Sequence, residues 1–406
     1  MPENSAGSCT LNAPPQGNTL QMLMGAGSFL TCWCLYASLS AMMPLMKTRL
    51  HLDPIQVSQA LTMPVLISAL GRVPMGMLTD RFGGKRVFMV LLAISVIPAV
   101  LIGNVASYPA LLVLGGWLGL SLASLPIGIG FISKWFPKER QGFALGVYGL
   151  GNLGQAIAAV TAPRVAAHWG FAWGFWVWGI MTVIWLAFFA LVAREAPVKI
   201  VPKSVRETLA PLQSIRSWEI GLYYFLTFGG FVALGGYMPT LLTEIFKMTP
   251  TDAGLMTAGL VAIQPLMRPV GGSLADRIGS YRVLWSVYPV IMLGAFLMST
   301  EQMPFFGIGT LLVALCFGLG NGATMRLTPI YFPSSVGVVA GLVGAMGSAG
   351  GYFPGRLLGY VKSNTGDFTL GFYCLAAFTL CVLLVAVISG SRTPGAQPVP
   401  APQTSR

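Results

Sequence analysis

Twelve runs of about 20 mainly apolar residues can be drawn along the chain, near 20–46, 57–78, 87–104, 109–132, 141–163, 170–193, 218–241, 251–275, 281–300, 304–330, 335–360 and 367–390. At 1.5 Å per residue, each run is long enough to cross a hydrocarbon core of about 30 Å as a helix. Backbone polar groups find no water there, so only helices and closed barrels can span. A barrel would show short alternating segments, and these runs are continuous. The chain is 55% hydrophobic and only 9% charged, where soluble domains carry about a quarter charged residues. The expected fold class is an all-α membrane protein of twelve transmembrane helices.

A net charge of +12 would suit nucleic acid, but the placement of the charge argues otherwise. With a cytoplasmic N-terminus, and with Arg282 and Arg356 near run ends counted to the adjoining loops, the inward loops and termini hold 15 of the 24 Lys and Arg, the outward loops 6 and the spans 3. This is the bias of membrane proteins toward positive cytoplasmic loops, and it leaves no reason to expect nucleic acid. Residues 1–19 lack a basic stretch, and the run that follows is too long for a cleaved signal, so a retained cytoplasmic tail is expected. The polar stretch 194–217, with Arg194, Lys199, Lys203, Arg206 and Arg216, reads as a cytoplasmic linker between six-helix halves at 20–193 and 218–390, and 391–406 as a second tail. Five of the six cysteines lie in apolar runs and read as packing residues, with no metal or cofactor implied. Short loops without a glycosylation sequon outside the tail fit a multi-pass bacterial inner-membrane protein with both termini cytoplasmic, expected as a monomer.

The two halves repeat one another. Arg72-x3-Gly76-x3-Asp80-Arg81-x-Gly83 recurs as Arg268-x3-Gly272-x3-Asp276-Arg277-x-Gly279, 196 residues on, and Trp135-Phe136-Pro137 recurs as Tyr331-Phe332-Pro333 at the same offset. Beyond the Phe-Pro pairs the register slips by one, so Gly142, Gly146 and Gly149 answer to Gly337, Gly341 and Gly344. Both copies open a glycine-rich helix. Small residues let helix backbones approach closely in lipid, so this stripe, including Gly151 and Gly347, either packs on a neighbour or borders a narrow path.

Arg72 and Arg268 stand eight residues ahead of Asp80 and Asp276, which puts them roughly 12 Å inside the boundary, near the midplane. A charge there costs at least about 2.5–3.5 kcal/mol and faces the bundle interior in most cases, although an arginine can also snorkel to the headgroups. If the guanidinium groups face each other about 8 Å apart, they repel by roughly 2 kcal/mol at an effective dielectric near 20. No acidic residue in the apolar runs answers them, and an anion between them reverses the sign. The arginine fork matches two oxygens of a planar oxyanion at once.

A third cation, Arg326, lies six residues before Phe332 and about 9 Å from the inner boundary. It is expected to snorkel or to line an inner vestibule that attracts anions, in preference to acting as a third ligand. Glu219, Glu244 and Asp252 fall at span ends and His51 and His168 near the outer ends, so no intramembrane carboxylate serves proton coupling, and exchange is favoured over symport. Metal-spaced histidines, a Glu-x-x-His pair and a Gly-x-Ser-x-Gly elbow are all missing from the sequence, which argues against a membrane-embedded enzyme.

The Gly-x3-Asp-Arg-x-Gly loops resemble the signature of the major facilitator superfamily. Within it, Arg72 and Arg268 together with Gly149-Leu150-Gly151-Asn152-Leu153-Gly154 and the glycines from Gly341 to Gly351 resemble the nitrate/nitrite porter family, over nearly all of residues 20–390. The resemblance implies two pseudo-symmetric six-helix halves in which Arg72 and Arg268 hold nitrate or nitrite, Asn152 hydrogen-bonds the ion and Tyr224 touches it. Asn152 has Gly347 as its repeat partner, so an amide has replaced a small residue in one half only. Interhelical bonding remains the alternative role for Asn152, and packing for Tyr224. Gly149, Gly151, Gly344 and Gly347 are expected to line the site. Asp80 and Asp276, beside Arg81 and Arg277, are expected to pair with basic loops or helix N-termini as gating residues. The competing reading is a superfamily carrier for another small anion, a carboxylate or cyanate.

Overall fold

The computed structural model describes residues 17–197, 207, 209–248, 250–365 and 368–391. Most of the tails expected at 1–19 and 391–406, and part of the 194–217 linker, lie outside the described residues. Among those described, the chain forms twelve long helices: α1 (Thr19–Leu50), α2 (Pro54–Phe82), α3 (Gly84–Ile102), α4 (Tyr108–Ile132), α5 (Lys138–Trp169), α6 (Trp173–Val192), α7 (Ile215–Tyr224 continuing through Phe225–Gly229 and Gly230–Phe246), α8 (Pro250–Ile278), α9 (Ser280–Met298), α10 (Met303–Tyr331), α11 (Val336–Thr365) and α12 (Thr369–Ser391). Apart from α8, each contains a stretch long and apolar enough to cross a membrane. The 29 residues of α8 include Gln264, Arg268, Asp276 and Arg277, which lower its hydropathy. Leu70, Val113 and Leu191 are 67%, 67% and 85% exposed on helices, as side chains that meet lipid rather than water would be.

The first two helices begin on side-chain caps. Asp53 and Gln56 form a reciprocal capping box at the start of α2, satisfying donors that the first turn leaves free. Gly83 and Gly279 have φ of 88° and 91°, so the last glycine of each Asp-Arg-x-Gly loop takes a conformation that a side chain would strain. We call the end of the bundle that carries these two loops the basic end.

Two contacts join the halves from that end inward. A Cβ on Gly76 of α2 would overlap the Gly337 carbonyl of α11, and one on Gly272 of α8 the Gly142 carbonyl of α5. Closer to the middle, Gly341 lies on Arg72 and Val73, and Gly146 on Arg268 and Pro269. The glycine stripes are therefore backbone-to-backbone seams, α11 on α2 and α5 on α8, related by the internal repeat. Removing side chains lets the helices approach until van der Waals contact and packing hold them. Three helices break regular α geometry: α4 at the 3-10 turn Leu120–Ala123, α5 at Leu150–Leu153, and α7 at the π-turn Phe225–Gly229. The second contains Asn152 and the third follows Tyr224 directly, and such irregular turns recur at functional sites.

Candidate functional site

Arg72 and Arg268 end up buried, at 3% and 1% exposure, and neither snorkels. Each guanidinium is seated by a glycine of the opposite half. A Cβ on Gly149 of α5 would strike the Nε and Cζ of Arg268, and one on Gly344 of α11 would lie 2.9 Å from the Cδ of Arg72. The bare stripes thus make the seam between the halves and, one turn deeper, leave room for the two cations. Arg72 Nη1 donates to the Gly344 carbonyl, while its Nε has no partner among the described residues. For Arg268, Nε, Nη1 and Nη2 all lack one. Neither arginine has an acidic partner among the described residues. An uncompensated buried charge costs several kcal/mol, so this arrangement favours whatever anion can reach it.

Other buried donors on α5 and α7 are also unsatisfied among the described residues. Asn152 is 5% exposed, and neither of its amide heteroatoms has a partner among the described residues. Tyr224 is fully buried with its hydroxyl unpartnered, its ring stacked on Phe228 at 4.9 Å. It lies within electrostatic range of Arg72. The neighbouring Tyr223 turns away to Tyr281, 6.4 Å between ring centroids, so of the two tyrosines Tyr224 is the one on the side of Arg72. Gly347 gives Tyr224 its space, since a Cβ there would lie 2.5 Å from the ring. Gly151 is not brought to the arginines; it packs on Phe29 and Leu30 of α1.

Tyr148 was not expected from the sequence. Its phenol is within electrostatic range of Arg72, Arg268 and Tyr224, and it is held by stacking on Phe29 at 4.5 Å and by donation to the Ser124 carbonyl at 2.8 Å. Its repeat partner is Val343. The same one-sided polar substitution that marks Asn152 marks Tyr148 as well.

At the basic end the two aspartates do the same thing across the seam. Asp80 accepts from the amides of Gly337 and Val338, both at 3.0 Å, at the start of α11. Asp276 accepts from Gly142 and Phe143 at 3.0 and 2.8 Å, at the start of α5. Each carboxylate from one half caps a helix N-terminus of the other, where free N–H groups and the helix dipole favour negative charge. Arg81 and Arg277 are exposed. Arg326 corrects the sequence reading: it neither snorkels nor lines an open vestibule, but is 4% exposed with its Nε 2.6 Å from Asp276 Oδ1. Depth along one helix could not show that partner, which sits on a neighbouring helix.

The family model for the Major Facilitator Superfamily matches residues 24–354 and 220–405. The chain is 36% identical to the "Nitrite extrusion protein" of Bacillus subtilis over 91% of its own length and 93% of that protein's. It is 33% identical to the "Probable nitrate transporter NarT" of Staphylococcus carnosus, over 90% and 94%. Among solved structures, the proton:xylose symporter XylE superposes with a TM-score of 0.75 at 15% identity, covering 93% of this chain and 96% of that one. The human organic anion transporter MFSD10 superposes with 0.74 at 14%, covering 92% and 100%; at these identities the likeness speaks for the fold. The chain belongs to the Major Facilitator Superfamily, in its clade of nitrate and nitrite transporters, and is a multi-pass secondary-active carrier rather than an enzyme.

Proposed function

We propose that this carrier moves nitrate and nitrite across the cytoplasmic membrane by alternating access, holding the anion between Arg72 and Arg268. The observation that carries this reading is the Arg268 guanidinium, 1% exposed with all three nitrogens unpartnered among the described residues. Charge-assisted hydrogen bonds contribute about 1.5–3 kcal/mol each, and a planar oxyanion can take two from one guanidinium fork. Asn152 and Tyr224 add neutral donors that fit a singly charged ion. The two relatives, described as a nitrite extrusion protein and a probable nitrate transporter, support this substrate class.

The arginines belong to opposite halves, so a bound anion draws the halves together at the midplane. Asp80 and Asp276 latch the same halves at the basic end. In this reading the anion neutralises the repulsion that otherwise opposes closure, and breaking the aspartate caps opens the path toward the cytoplasm. This is the rocking of two repeats about a central site. With no acidic partner for either arginine among the described residues, the cycle runs as nitrate/nitrite exchange by a monomer.

Nitrate uptake into proteoliposomes loaded with nitrite, nitrate or neither tests this. The reading expects uptake that needs an internal anion and is indifferent to a proton ionophore, with inhibition by planar oxyanions and none by a bulky dicarboxylate. Uptake into empty vesicles that the ionophore abolishes would replace exchange with proton symport.

A further inference from the structure

Away from the basic end, the C-terminal half contains a cleft between α7, α8 and α10. Phe231 lines it from α7, Thr257 and Val261 from α8, and Thr310, Ala314 and Phe317 from α10. Two of these rows continue inward. Thr257, Val261, Gln264 and Arg268 follow one another at spacings of three or four, which keeps them on one face of α8, and Thr310, Ala314, Phe317 and Asn321 do the same on α10. The helices run side by side in register. A Cβ on Gly318 would lie 2.6 Å from the Gln264 carbonyl, and one on Gly322 2.7 Å from the Gly272 amide. Asn321 therefore lies at about the level of Arg268, and Gln264 one turn closer to the cleft.

Gln264 and Asn321 are both 0% exposed, and all four of their amide heteroatoms lack a partner among the described residues. Leaving a buried carboxamide unpaired costs stability that an apolar residue of the same size would not. The N-terminal half has done without it: the repeat positions hold Ser68 and Leu125. The unpaired amides thus fall at or one turn from the level of the arginine whose guanidinium has no partner among the described residues.

We propose that Gln264 and Asn321 form a neutral subsite beside Arg268, where amide N–H groups hold a weakly hydrated inorganic oxyanion on its way between the cleft and the two arginines. This rests on the reading of Arg72 and Arg268 as the anion site. A carboxamide offers either N–H or C=O, and the adjacent guanidinium selects an anion, which the N–H side meets. The apolar walls of the cleft disfavour strongly hydrated ions. A neutral station next to a charged one lets an ion leave in steps, the condition for turnover at a site that binds it.

The test compares the full-length protein with Gln264→Met, Asn321→Leu and the double variant, reading nitrate uptake in proteoliposomes against concentration together with the melting temperature. Each single variant is expected to raise KM about tenfold, the effect of losing one hydrogen bond to the ion, while melting at the same temperature or higher. Asn321→Ser, which keeps an O–H donor, is expected to recover most of the lost affinity. Asn321→Asp is expected to fold and to lose uptake, because its carboxylate occupies Arg268. A folded double variant with wild-type KM overturns the subsite. If the double variant does not fold, retained uptake by Asn321→Asp overturns it instead. Arg268→Ala serves as the control: anion binding retained there sinks the two-arginine site itself, whereas binding lost there with unaltered amide variants sinks only the subsite.

Discussion

Arg72 and Arg268 hold equivalent places 196 residues apart, yet Arg72 donates to the Gly344 carbonyl while every guanidinium nitrogen of Arg268 is without a partner among the described residues. The surroundings diverge in the same sense. Ser68 and Leu125 accompany Arg72 where Gln264 and Asn321 accompany Arg268, and Gly130 stands where Arg326 pairs with Asp276. An internal repeat thus supplies two buried cations, and divergence leaves one anchored and the other without a partner among the described residues. We read Arg72 as the fixed wall of the anion site and Arg268 as the arm that follows the ion.

The largest difference is expected at the arginines. Arg268→Ala should lower transport by about 100-fold or more, the loss of two charge-assisted bonds, and Arg72→Ala should be comparably inactive. Lysine separates them: it keeps the charge without the fork, so Arg268→Lys should remain near the level of the alanine variant while Arg72→Lys keeps measurable uptake. Equal residual rates for the two lysine variants would dissolve the asymmetry.

The latches come next. Asp276→Asn leaves Arg326 buried and unpaired, a loss of about 3–5 kcal/mol, whereas Asp80→Asn weakens two bonds to amides at about 1–3 kcal/mol. Melting in detergent should rank them so, and adding Arg326→Gln should restore part of the loss in Asp276→Asn but worsen Asp80→Asn. At the glycines, Gly149→Ala forces a methyl against the Arg268 guanidinium head, while Gly344→Ala meets the flexible methylene stem of Arg72. Overpacking of about 1–3 kcal/mol should make the first the poorer transporter. The smallest effect expected is from Tyr224→Phe, which removes one hydroxyl: KM should rise about threefold to tenfold with no loss of stability, and an unchanged KM would return Tyr224 to packing.

Much of this was legible in the sequence because the repeat acts as an internal comparison. Gly149 and Gly344, like Asp80 and Asp276, recur at matching places, and each pair makes matching contacts across the seam. The partner of Arg326 was not legible, since Asp276 lies 50 residues away on another helix and helical arithmetic gives depth but not direction. Tyr148, Gln264 and Asn321 were missed for a related reason: inside a long helix, a lone polar or aromatic residue is the same signal whether it packs or faces a site. For Gln264 and Asn321 the missing hydrogen-bond partners separate the two, and for Tyr148 its place beside both arginines does. Gly151 shows the reverse error, a glycine of the right stripe that turns to α1. The turns at Leu150–Leu153 and Phe225–Gly229 were not expected, because the glycines beside them read equally well as close packing of regular helices.

The most direct test of the two-arginine site is equilibrium titration of nitrate and nitrite into the purified protein and into Arg72→Ala and Arg268→Ala, each shown to be folded by its melting curve. We expect the wild type to bind one anion per chain and both variants to show no saturable binding. Wild-type affinity in either folded variant would contradict the account, because the anion would then be held without the pair of buried guanidinium groups on which the site is built.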